Sequence, residues 1–188
     1  MDARDDPEAR TGSAEIVVRR GVDDEAEARE LAAVHIAAWK WAYRGLMPDG
    51  YLARLDEQLE RRVALWRTWL GADKTRYAVW VAVEGSAIVG FVSTGPSVTP
   101  DAGSSEAQLY SIYLLERVAG RGVGQALMTT AASELRRQGY ASCMLWVLES
   151  NERARRFYER EGWATDGGRQ VDSSPGFDLI EIRYRITL

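Results

Sequence analysis

The stretch LYSIYLLERVAGRGVGQALMTTAASEL, Leu109 to Leu135, constrains this chain more than any other. An apolar run suited to a buried strand enters a short, basic, glycine-rich loop. The loop opens onto an amphipathic helix with Val123, Leu127, Ala131 and Leu135 on one face, each four residues from the last. A glycine turn between a strand and a helix start is an anion-binding device: free backbone N–H groups and the positive end of the helix dipole both favour a phosphate. Gly120, Gly122 and Gly124 carry no Cβ, so a large ligand can approach the backbone there.

Several readings of this loop compete. A P-loop needs G-x-x-x-x-G-K-[ST], and no Lys-Ser or Lys-Thr follows. A dinucleotide fingerprint needs a third glycine where Leu127 stands, and an acidic residue about 20 residues on, which is not evident. A glycine-rich connector that binds nothing is the bland alternative. The loop also resembles the acyl-CoA loop of the GCN5-related N-acetyltransferases (GNAT family), [QR]-x-x-G-x-[GA], as A-G-R-G-V-G from Ala119 to Gly124. Ala119 departs from the pattern, and Arg117 and Arg121 flank it with positive charge. The resemblance implies acetyl-CoA as cofactor. Its pyrophosphate would be held by Arg117, Gly120, Arg121, Gly122, Val123, Gly124 and Gln125, and its pantetheine by the backbone of Ile112, Tyr113 and Leu114.

With 188 residues, one domain is expected, able to bury a sizeable core. Lys+Arg 24 against Asp+Glu 28 leaves a net charge of −4, which argues against a general nucleic-acid binder. The single cysteine excludes an intrachain disulfide framework and fits a reducing compartment. No run approaches the roughly 20 apolar residues of a membrane span. The acidic start is no signal peptide, so a cytoplasmic location is expected.

Met1 to Ser13 is charged and small, and is expected to be a mobile tail before a domain over residues 14–188. The pattern then predicts a strand at Glu15–Arg20, a helix from Asp23–Asp24 to about Tyr43, and a second from about Asp56 to Gly71. Strands follow at Tyr77–Glu84 and Ala87–Thr94 around Gly85-Ser86, and at Glu106–Leu115. Beyond the loop helix come a strand at Ala141–Leu148, a helix from Asn151 to Glu161, and strands at Trp163–Val171 and Phe177–Leu188. That order resembles the GNAT fold, which implies an α/β domain: a mixed, mostly antiparallel twisted sheet with helices on both faces. Its fourth and fifth strands run parallel and splay apart, and pantetheine enters the gap.

Leu145 to Trp163 resembles the family segment N-x-x-A-x-x-[FY]-Y-x-x-x-G-[FW] at every named position. Asn151 would contact the cofactor, or is simply a helix N-cap. Ala154 would give the cofactor room. Tyr158 is the expected general acid, since a thiol pKa near 8.5 and a phenol pKa near 10 allow it to protonate a departing sulfur; the plain alternative is packing beside Phe157. In relatives a Glu on the fourth strand serves as base, but that position here is Gln108. Glu106 lies two residues earlier, on the same strand face, and is the substitute candidate. A backbone N–H near Ile112 and Tyr113 would meet the oxyanion. His35, the only histidine, is expected to be packed between Leu31 and Trp39, and Cys143 to be a buried apolar residue. No His or Cys pairing suggests a metal.

In the family, the first helix and the loop after it line the acceptor site. Trp39 and Tyr43, at i and i+4, would form an aromatic wall for a cationic amine, unless they are core. The reading is an acyltransferase moving acetyl from acetyl-CoA to a small-molecule primary amine in a ternary complex. A protein N-terminal or lysine acetyltransferase and a non-catalytic acyl-CoA sensor are the alternatives. Homodimers are common in the family.

Overall fold

The computed structural model describes residues 15–188. The expected tail, Met1 to Ser13, lies outside the described residues. β1 (Ile16–Arg20) leads into α1 (Glu25–Ala42). Asp24 starts α1 because its side chain accepts the Glu27 N–H at 2.7 Å, satisfying a donor that the first turn leaves free. α2 (Asp49–Ala53) and a 3-10 turn at Arg54–Gln58 precede α3 (Leu59–Gly71). The sequence pattern expects only one helix here, from about Asp56. The short α2 is set locally, with the Pro48 carbonyl accepting the Tyr51 and Leu52 N–H groups, and five residues carry too little periodicity to be read. Then come β2 (Ala78–Glu84), β3 (Ala87–Pro96), β4 (Glu106–Leu114), α4 (Val123–Arg137), β5 (Ser142–Leu148), α5 (Glu152–Arg160), β6 (Ala164–Asp172) and β7 (Leu179–Thr187).

The seven strands form one sheet in the order β1-β2-β3-β4-β5-β7-β6. Only β4 and β5 run parallel, and they pair at Glu106–Ser142, Ala107–Cys143 and Gln108–Met144 alone. The parting has a local cause. Against β3, Thr94 faces Leu109 while Ser93 faces Ser111, so Tyr110 is an extra residue in β4. Such a bulge bends its strand and flips the side-chain alternation beyond it. Ala107 and Leu109 before it, and Ile112 and Leu114 after it, therefore all pack toward α4. Tyr113 turns to the opposite face, toward α1 and α3. The bulge begins two residues past the last parallel pair, and from there β4 leaves β5.

Helices cover both faces. α1 and α3 pack Leu31, Trp66 and Phe91 on one side. α4 packs Val123, Leu127, Ala131 and Leu135 on the other, all at most 3% exposed. Truncating a side chain such as Leu127 to alanine would cost about 2–5 kcal/mol, the usual range for a buried leucine. A third cluster joins Ile36, Met47, Leu52, Leu55, Leu148 and Leu179, between the first helices and the β5–β7 pair.

Candidate active site

The glycine loop sets one end of the site. Gly122 is the N-cap of α4 with φ +81°, and Gly120 has φ +76°, values that L side chains rarely adopt. No side chain caps α4, so its first-turn N–H groups keep their capacity to donate. A Cβ at Gly120 or Gly122 would meet nothing within 4 Å, so the backbone there borders open space. Gly124 has a different reason: a Cβ would come to 3.3 Å from the Phe157 ring, so this glycine lets α4 approach α5.

From that lip a cavity of about 870 Å³ runs along the parted strands, a size suited to a cofactor arm. Gly120, Gly122, Gly124 and Gln125 line its entrance, and Ile112, Tyr113 and Leu114 its middle. β4 has no β5 partner along this length, so one strand edge is open to an extended, amide-rich ligand. Anion-accepting amides at one end and an unpaired strand edge beyond them fit the diphosphate and pantetheine of coenzyme A.

Three of the loop residues expected at the cofactor have side chains outside the cavity lining. The Val123 side chain is 3% exposed in the core, so only its backbone belongs to the helix start. Arg117 and Arg121 both bind Glu84 at the end of β2, Arg121 at 2.8 Å, and neither lines the cavity. The two guanidiniums, Arg117 foremost, hold the Glu84 carboxyl below the usual range. Sequence reasoning missed Glu84, since the pairing needs the β2–β3 hairpin beside the loop.

α5 supplies the next wall. Asn151 is the helix N-cap, its Oδ1 accepting the Ala154 N–H at 3.1 Å, and it also lines the cavity. Tyr158 reaches the same cavity, only 8% exposed, and its hydroxyl has no hydrogen-bond partner among the described residues. Burial, and then the neighbouring Tyr43, push its pKa well up, so the phenol keeps its proton across the working pH range.

The far end is aromatic. Trp39 meets the Tyr43 ring edge-on at 5.0 Å, and the Tyr43 and Tyr113 hydroxyls lie 2.7 Å apart. Burial raises Tyr43 to about 12. His35 lies behind this wall, stacked on Tyr113 at 5.3 Å. Arg62 has only donors, so its Nη1 donates to His35 Nε2 at 3.1 Å and the ring proton sits on Nδ1. Desolvation, then the Arg62 charge, lower His35 to about 3. It is a packed neutral histidine outside the cavity lining.

Glu106, the expected substitute base, lies outside the cavity lining. It shares a strand face with Gln108, as the alternation predicts, but only Gln108 lines the cavity. Glu106 stands at the closed end of the β4–β5 pair, 7% exposed, with Arg185 Nε 2.9 Å from Oε1. That carboxylate is held on an arginine beside the strand junction. Cys143 is 1% exposed with its thiol pKa raised by burial, which leaves little thiolate for chemistry. Among the described residues no His, Cys, Asp and Glu cluster could hold a metal. None of their helices is long and apolar enough to cross a membrane. Sequence reasoning also missed Gln170, Asp172 and Glu181, which the last hairpin brings to the cavity wall. Alternation within β7 could have put Glu181 on one face with Leu179, but not told which face looks inward.

The sheet is thus parted between two parallel strands, with a glycine-lipped helix start at the mouth of the gap. Comparison with known proteins makes this specific. A model of the Acetyltransferase (GNAT) family matches residues 36–163. The chain is 32% identical over 125 residues to the uncharacterized N-acetyltransferase YuaI of Bacillus subtilis, covering 65% of this chain and 67% of that one. It is 25% identical over 166 residues to the probable N-acetyltransferase Rv2775 of Mycobacterium tuberculosis, covering 84% and 86%. Its fold is similar to that of the PaiA N-acetyltransferase of Thermoplasma acidophilum solved in complex with coenzyme A. That likeness has TM-score 0.66 and 20% identity, and covers 93% of this chain and 99% of the other. The chain belongs to the GNAT acetyltransferase family.

Proposed function

We propose that this acetyl-CoA-dependent acyltransferase moves acetyl to the primary amine of a small molecule, by direct attack in a ternary complex. One observation carries the reading: a single cavity joins the glycine-lipped start of α4 to an aromatic end walled by Trp39, Tyr43 and Tyr113. Bound acetyl-CoA would supply the activated acyl group. The amides of the Gly120–Gly124 turn would hold its diphosphate, and the free edge of Ile112–Leu114 its amide-rich arm. Backbone N–H groups near Ile112 and Tyr113 would polarise the acyl carbonyl. Tyr158 would hold its proton at the hydroxyl until sulfur departs. Burial of the one thiol, Cys143, supports direct attack over an acyl-cysteine.

Met47, Leu148 and Leu179 line the far end beside Trp39 and Tyr43, an apolar and aromatic wall that favours a compact acceptor over a peptide. Thiol release from acetyl-CoA, measured with small amines and with peptides bearing free N-termini or lysines, tests the reading. Turnover with small amines at least about tenfold above the best peptide is expected, a difference of about 1.4 kcal/mol in barrier. Peptide preference would overturn the acceptor class, and binding without turnover on every acceptor would make the chain a sensor.

A further inference from the structure

The last hairpin places two carboxylates in the acceptor end of the cavity. Glu181 of β7 faces Leu148 across β5 and Gln170 across β6, and Asp172 faces Leu179. Opposed residues of an antiparallel pair share a face. Leu148 and Leu179 pack with Ile36 and Met47, and Trp39 and Tyr43 pack against the same cluster. Glu181 and Asp172 thus lie on the face that carries the aromatic wall, and both line the cavity.

What they lack is a cation. Glu27, Glu84, Glu106 and Glu134 each meet an arginine. Glu181 accepts only a hydrogen bond from Gln170 Nε2 at 2.7 Å, and Asp172 only the Ser174 N–H, with no ion pair among the described residues. A covered carboxylate without a counter-charge is costly. A second observation in the same cavity is independent of these acids: the hydroxyl of Tyr158, a residue 8% exposed, also has no hydrogen-bond partner among the described residues. Arg153, Arg160 and Glu161, from α5 and its C-cap, line the side of the cavity, Arg153 lying 3.6 Å from the centre of the Trp41 ring, whereas Glu181 and Asp172 are at the hairpin.

We propose that Glu181 is the general base, and that with Asp172 it selects cationic amines bearing no carboxylate beside the nitrogen. This rests on the amine-acetylating reading above. Glu181 takes one proton from the ammonium, leaving the lone pair that forms the N–C bond as the C–S bond breaks. Tyr158 gives its proton to the departing sulfur and regains one from the nitrogen; Glu181 then releases its proton to water. Burial foremost, with Asp172 adding to it, raises the Glu181 pKa above its usual range. The other groups facing it are Tyr43 from α1 and, two residues along β7, Arg183, which Asp101 and Asp166 already hold. A base must be unprotonated, so kcat/KM should climb with pH along an acidic limb above the ordinary carboxylate range.

The test compares wild type, Glu181→Gln and Asp172→Asn in calorimetry with coenzyme A and in thiol release. The acceptors are an alkyl diamine, an amino acid, and a methoxyamine that is neutral at assay pH. Wild type should favour the diamine over the amino acid. Glu181→Gln should bind coenzyme A as wild type does, lose the acidic limb, and lose at least about 100-fold in kcat/KM on the diamine, the usual scale of a general base. On the neutral methoxyamine it should lose less than about tenfold, since no proton has to be removed first. Asp172→Asn should raise KM for the diamine with little change in kcat. Unchanged diamine turnover in Glu181→Gln, or equal losses on both amines, overturns the base while leaving acetyl transfer intact. A wild type that binds coenzyme A yet acetylates no amine overturns the parent reading and the base with it.

Discussion

The hydroxyls of Tyr43 and Tyr113 meet at 2.7 Å and join the C-terminal cap of α1 to β4 across the aromatic end of the cavity. The Tyr110 bulge turns Tyr113 to this face, so the contact depends on the same irregularity that parts the strands. Tyr43→Phe leaves the Tyr113 hydroxyl covered and unpartnered, at an expected cost of about 1–3 kcal/mol. Removing both hydroxyls should cost less than the sum of the single variants, because the two act as a pair. Urea unfolding of the double-mutant cycle measures this.

Gly122→Ala separates fold from ligand binding. The new methyl meets no atom within 4 Å, but φ +81° is strained for alanine, so a loss of about 1–2 kcal/mol in stability is expected. Coenzyme A affinity should fall further, by at least about tenfold, because the methyl borders the amides that accept phosphate. Calorimetry and urea unfolding on the same sample check both.

Tyr158→Phe removes a hydroxyl with no hydrogen-bond partner among the described residues, so urea unfolding should find stability close to wild type. Its kcat should fall by about 10- to 10⁴-fold, the range for a lost general acid, while coenzyme A binding stays within about threefold. Unaltered turnover would leave the phenol a packing residue beside Phe157.

His35 predicts an acid sensitivity. Folding lowers its pKa from 6.5 to about 3. Below pH 6.5 the unfolded chain takes up a proton that the folded chain refuses, so stability is lost as pH falls, by about 1.4 kcal/mol per unit from this group. At pH 5 the loss is about 2 kcal/mol relative to neutral pH. His35→Gln keeps an acceptor for Arg62 and should flatten that part of the slope. Urea unfolding between pH 7 and 5 reads the difference.

Local chemistry made much of this legible in the sequence. The Asp24 cap, the Gly85 turn and the four-residue spacing of Val123 to Leu135 are written in neighbouring residues. The glycine lip, Asn151 and Tyr158 also lie within continuous segments, and the structure brings them to one cavity. Glu106 shows the limit. Alternation gives its strand face, but not that β4 is still closed against β5 at that level, nor that Arg185 waits there. Glu181 shows the converse. Its position depends on β7 lying between β5 and β6, a long-range pairing with no local signature. Arg117 and Arg121 carry the charge expected of a phosphate loop, yet the β2 end supplies Glu84 to hold them.

The central claim is that the turn at Gly120–Gly124 and the gap beyond it seat coenzyme A with its sulfur beside Tyr158. A crystal structure of the complex tests this most directly. The diphosphate should lie about 3 Å from the amides at the start of α4, with sulfur within about 4 Å of the Tyr158 hydroxyl, ordinary hydrogen-bond reach for an oxygen and a sulfur. A diphosphate seated away from that turn, or a sulfur on the far side of the cavity from the phenol, would contradict the account.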